Sequence, residues 1–143
     1  MSRIWSEDNS FDLWLTVEIA ASQAWTDQGV VPEADMAKIR NASFDRAAYD
    51  RWFEETRHDI VSFTRAVGES LGPEGRWIHH GLTSNAVTDT ALRMQLPPSF
   101  ALLVQRIAVL LTSLLLRSLH FPNPPFLLPS PVLPSHPLRS SLT

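Results

Sequence analysis

Apolar positions recur at helical spacing through the front two-thirds of the chain. Leu13, Val17, Ala20 and Ala24 form a stripe at i, i+4, i+7 and i+11, widened by Trp14, Ala21 and Trp25. Ser6, Asp8 and Asn9 offer capping oxygens ahead of it, and Gly29 is a natural stop after Gln28. Pro32 with Glu33 and Asp35 suits a second, short helix with Met36 and Ile39 inward. From about Phe44 to Thr56 the pattern is helical again, with Tyr49, Trp52 and Phe53 as the buried candidates. Ile60, Phe63, Thr64, Val67 and Leu71 continue it until Gly72-Pro73. Gly75 to Leu82 reads as a loop, and Thr83 or Ser84 can cap a helix carrying Val87, Ala91 and Met94. No stretch alternates with period two, so the expectation is an all-α fold.

Pro97-Pro98 should interrupt that last helix, because proline lacks the backbone donor and clashes with the preceding turn. Ser99 could then cap a fresh apolar helix, Phe100 to about Leu119. Composition changes in the same region. All 15 acidic residues lie at or before Asp89, nine of the 11 prolines lie at or after Pro97, and the last glycine is Gly81. Three segments follow: a helical domain over 1–96, an apolar helix over 97–120, and a Pro/Leu/Ser-rich tail over 121–143. The tail cannot form a helix or a central strand and is expected to be disordered or polyproline-like. It is either a PxxP-type binding tail or, more plainly, translated intron or frame-shifted sequence.

At 143 residues the chain holds one domain at most, and 44% hydrophobic with 19% charged residues suits a soluble globular protein. A net charge of −3 gives no reason to propose nucleic acid or an anionic membrane as partner. Without cysteine, disulfides, thiolate zinc sites and cysteine nucleophiles are excluded. The N-terminus has no apolar signal core, and the apolar run Leu110–Leu116 is too short to span a bilayer. A cytoplasmic setting is the default.

Three clusters could carry chemistry. Thr56-Arg57-His58-Asp59 puts a cation, an imidazole and a carboxylate side by side, although on a helix such neighbours diverge by about 100° and form an ordinary solvated surface. His79-His80-Gly81 lies in a loop, and no HxxxH or HExxH spacing points to a metal. Thr83-Ser84 at a helix N-terminus is either a cap or an anion-binding pair using the free N–H groups there.

Taken together, these segments resemble a known family. Thr56-Arg57-His58-Asp59-Ile60-Val61-Ser62-Phe63-Thr64-Arg65-Ala66-Val67 resembles the adenylosuccinate lyase segment around the first active-site histidine. Arg76-Trp77-Ile78-His79-His80-Gly81-Leu82-Thr83-Ser84 and Val87-Thr88-Asp89-Thr90-Ala91-Leu92 resemble the next. Ile4–Asn9, Trp14–Glu18 and Asn41–Asp45 are similar to its opening helices. The resemblance covers roughly residues 1–96 and fades beyond them.

It implies the helical N-terminal domain of the fumarase/aspartase-like fold, truncated before the long-helix bundle, and a cofactor-free lyase of AMP synthesis. Such enzymes release fumarate by β-elimination from adenylosuccinate and from the succinyl-carboxamide ribotide. Carried over by motif, Arg57, His58 and Asp59 would line the nucleotide and succinyl site, with His58 near the reacting centre. Thr83 and Ser84 would bind a succinyl carboxylate, and His79 the nucleotide near its phosphate. His80 stands where the family often has tyrosine. The family's Gly-Arg-Thr-His-Gly-like acid segment and its serine loop have no counterpart here, nor does the phosphate-binding Arg-Tyr that precedes its first helix. Family active sites combine three subunits of a homotetramer, so an incomplete, inactive fragment is expected. The alternatives are a non-catalytic fragment associating with full-length subunits, and a sister lyase of argininosuccinate or carboxymuconate type.

Overall fold

The computed structural model describes residues 1–120, together with the backbone of 126–127 and 137–138. Five α-helices follow in order: α1 Glu7–Asp27, α2 Glu33–Ile39, α3 Arg46–Thr56, α4 Asp59–Leu71 and α5 Ser84–His120, with a 3-10 helix, Gly72–Trp77, between α4 and α5. Phe126–Leu127 and Pro137–Leu138 form a two-residue antiparallel pair, in which both strands are edges. The fold is all-α, as the spacing predicts. The reading of the Pro-rich tail as disordered otherwise falls outside the described residues.

Local signals explain most boundaries. Ser6 Oγ accepts from the Asn9 N–H at 3.2 Å and caps α1, and Asp45 caps α3 by accepting from the Ala47 N–H at 3.0 Å. Gly72 stops α4 with φ at 68°, in the left-handed region that glycine tolerates. Gly75 to Trp77, expected as loop, belongs to the 3-10 helix. There Gly75 meets Gly68 of α4 so closely that a Cβ on Gly75 would lie 2.8 Å from the Gly68 Cα.

The chain falls into two compact units, Met1–Phe100 and Ala101–Thr143. The core of the first is aromatic. Phe11 stacks on Phe44 with ring centroids 4.4 Å apart, Tyr49 lies 4.8 Å from Phe11, and Phe63 packs 5.4 Å from Phe44. Met36, Ile39, Ala66 and Val67 are buried in the same cluster, as are Val31, Ala48 and Ile78. Such a core supplies most of the hydrophobic stabilisation, about 1.5–3 kcal/mol per fully buried large side chain.

Several expectations need correction here. The buried face of α1 is not Leu13–Val17–Ala20–Ala24. Phe11, Glu18 and Ser22 are buried while Ala20 and Ala24 are exposed, because two polar side chains occupy inward positions. Phe53 of α3 is 37% exposed, and Met94 of α5 is exposed as well. In place of Met94, Gln95 turns inward, its amide donating to the Ile4 carbonyl at 2.9 Å and to Ser10 Oγ at 3.3 Å.

Pro97-Pro98 lie inside a continuous 37-residue α5 rather than at a break. Both prolines sit on the exposed side, as do Arg93 and Met94, whose carbonyls lose their intrahelical donors there and can turn to water. Ser99 is no cap. Its hydroxyl donates back to the Gln95 carbonyl at 2.9 Å. With the helix unbroken, the exclusion of a bilayer span on length also fails. By length and composition alone α5 is long and apolar enough to cross a membrane, with an 18-residue stretch of mean hydropathy 2.0.

Candidate functional site

The cluster Arg57-His58-Asp59 does not lie within a helix. Arg57 ends α3 in the left-handed region with φ at 51°, His58 is extended, and Asp59 opens α4. Two helices are thus joined by a connection too short to need glycine or proline, and all three side chains emerge at the junction, exposed. Hydroxyls brace the turn. Ser62 Oγ donates to the His58 carbonyl at 2.6 Å and lies 2.7 Å from Thr56 Oγ1.

His58 Nδ1 has two possible partners that require opposite protonation. It lies 3.4 Å from the Val61 N–H, for which it must act as acceptor and N-cap, and 3.2 Å from Asp59 Oδ1, to which it would have to donate. Asp59 Oδ1 already accepts from the Ile60 N–H at 2.7 Å. As a cap, His58 carries its proton on Nε2 and presents a donor to the open side. Asp59 also faces a hollow of about 300 Å³ between Trp5, Phe11, Trp14 and Tyr49. Burial pushes the Tyr49 hydroxyl above its usual range, and the Asp59 charge adds to the effect.

The second cluster follows the 3-10 helix. His79 is left-handed with φ at 65°. Its backbone N–H donates to Glu18 Oε2 at 2.7 Å, and its Nδ1 lies 2.7 Å from Glu18 Oε1. His80 packs edge-on between Trp25 and Trp77, with ring centroids 5.5 and 5.6 Å away. Trp25 Nε1 donates to the His80 carbonyl at 2.9 Å. Gly81, with φ at 72°, passes so near the Trp25 ring that a Cβ would lie 2.9 Å from Cζ2.

Thr83 caps α5, its hydroxyl accepting from the Ala86 N–H at 3.3 Å, and Ser84 is the first helical residue. Both are therefore beside the free N–H groups of a helix start.

Among the described residues no hydrogen bond or ion pair joins the two clusters. Each sits on a different stretch of α1: Asp59 shares its hollow with Ser10 and Trp14, and His79 is held by Glu18. Sequence reasoning did not single out Glu18, the buried carboxylate that holds His79. Its only signal was a carboxylate at i+7 from Phe11, in phase with Trp14 and Trp25.

No protein-family model matches the chain. In fold it is similar to the crystal structure of a fumarate lyase from Mesorhizobium sp. BNC1, with a TM-score of 0.65 and 22% identity, covering 74% of this chain and 26% of that one. At that identity the likeness defines a class by fold alone: the helical part of the fumarase/aspartase-like architecture.

The sequence is more specific. Adenylosuccinate lyases of Bacillus subtilis (strain 168) and Staphylococcus saprophyticus subsp. saprophyticus are 54% and 52% identical to it over 93 residues, and that of Streptococcus mutans serotype c is 52% identical over 92. Each match takes in 64% of this chain but only 21–22% of the relative, so the chain spans about a fifth of their length. Over that stretch the chain is similar in sequence to adenylosuccinate lyases, and its fold is that of the helical part of the fumarase/aspartase-like architecture.

Proposed function

We propose that residues 1–96 are the part of an adenylosuccinate lyase that contributes one corner of its active site. The supporting observation is the 52–54% identity to three such enzymes. The reaction would be a cytoplasmic, cofactor-free β-elimination of fumarate from an adenylosuccinate-type nucleotide. A base removes a proton from the carbon beside the succinyl carboxylate, an acid protonates the leaving nitrogen, and the C–N bond breaks. Donors around the carboxylates stabilise the carbanion between these steps.

In this reading Arg57 and Asp59 line the substrate, and His58 directs its Nε2–H toward the reacting centre. Thr83 and Ser84 hold a succinyl carboxylate against the start of α5. His79 turns Nε2 to the nucleotide. The family's acid and base segments have no counterpart in the sequence, so the chain alone has negligible lyase activity.

A chimera tests the reading. Residues 1–96 replace the matching segment of the Bacillus subtilis enzyme, and fumarate release from adenylosuccinate is followed. The chimera should turn over, and His58→Ala within it should lower kcat/KM by about 10²–10⁴-fold. An assembled chimera indifferent to His58→Ala, or fumarate release by the 143-residue chain alone, would overturn it.

A further inference from the structure

We propose that Glu18 is a positioning residue that fixes the tautomer and direction of the His79 ring. This rests on the reading of His79 as a substrate contact only for its purpose; the geometry stands by itself.

The Glu18 side chain is 0% exposed. A carboxylate in that position is costly unless its oxygens are matched by donors. Both are matched by one residue 61 positions away, the backbone N–H of His79 on Oε2 and Nδ1 on Oε1. An ionised carboxylate only accepts, so Nδ1 carries the hydrogen. That leaves Nε2 as the ring's unengaged atom: among the described residues it has no partner, and the side chain is 24% exposed. The ring cannot easily swing away. The next residue is tied to α1 two turns further on, where Trp25 Nε1 holds the His80 carbonyl, and Gly81 lies under the Trp25 ring. Helix α1 therefore grips the loop at positions 18 and 25, on one face.

Glutamine at position 18 separates positioning from simple packing. Its volume is nearly the same, but it has only one oxygen for two donors. If that oxygen keeps the His79 N–H, the amide NH₂ faces Nδ1, which must then become the acceptor. The proton moves to Nε2, and the outward face of the ring changes from acceptor to donor.

The experiment is long-range ¹H–¹⁵N correlation NMR of the histidine-labelled full chain, above the pH at which its imidazoles are neutral. Wild type is expected to show His79 as the Nδ1–H tautomer, and Glu18→Gln to show Nε2–H. An Nε2–H ring in wild type overturns the proposal whether or not the variant folds. So does a folded variant that keeps the wild-type tautomer. AMP added as a probe to the chimera with the Bacillus subtilis enzyme, which supplies the rest of the site, should shift the His79 Nε2 resonance. If it does not, while the tautomers are as expected, Glu18 keeps its positioning role and the substrate reading of His79 fails instead.

Discussion

The contact between Gly68 and Gly75 allows one chemical change to be made on both sides with opposite expected signs. A Cβ on Gly75 would lie 2.8 Å from both the Cα and the O of Gly68, and 3.1 Å from its C. These are backbone atoms of α4, so no side chain can rotate away. Relief requires moving the 3-10 helix off α4, an overpacking that typically costs about 1–3 kcal/mol. A Cβ on Gly68 meets only the Gly75 Cα, at 4.0 Å, which is ordinary contact. Gly68 lies within α4, where alanine is favoured over glycine by about 0.5–1 kcal/mol.

Gly75→Ala should therefore destabilise, Gly68→Ala should be neutral or stabilising, and the two should differ by about 1.5–4 kcal/mol. Urea unfolding followed by circular dichroism measures this, and the gap corresponds to at least about 6 °C in Tm for a domain of this size. Equal effects at both positions, or a Gly75→Ala chain as stable as wild type, would refute the geometry.

Two further expectations concern other parts of the chain. Lys38 and Glu74 are 2.6 Å apart; their hydrogen bond holds Glu74 below its usual 4.5 and Lys38 above its usual 10.5. Their contribution is present between those values, lost as pH falls through the lowered Glu74 pKa and lost as pH rises through the raised Lys38 pKa. The stability difference between wild type and Glu74→Gln, from urea titrations across pH, should thus be greatest near neutrality and vanish in strong acid. Pro97→Ala restores a helical N–H in the interior of α5 and should raise stability by up to about 3 kcal/mol without changing helix content. A marked rise in helicity by circular dichroism would show instead that wild type is broken there.

Much of the helical plan was legible because it depends on local chemistry. Ser6, Gly29 and Gly72 act within one turn of themselves, and Ile60, Phe63 and Val67 are buried as their spacing requires. The errors occur where a distant partner decides. Glu18 and Gln95 are inside because His79, Ile4 and Ser10 offer matching groups, which no helical period encodes. Pro97 and Pro98 are tolerated because their side of α5 is exposed. At the candidate site, the residue types of Arg57-His58-Asp59 were evident but their setting was not. The apolar spacing lapses after Thr56, but without glycine or proline between Thr56 and Asp59 nothing local shows that Arg57 turns left-handed and His58 extended there.

The grip of α1 on the loop at 79–81 also bears on the order in which the domain takes shape. Helices α3 and α4 are neighbours in the chain and can pair early, whereas the Glu18–His79 and Trp25–His80 bonds close spans of 61 and 55 residues. Those closures reward the chain only once the body between them is in place. The outward imidazole at 79 should be among the last features to form during folding, and amide exchange at His79 should report the docking of α1 rather than any motion of the loop itself.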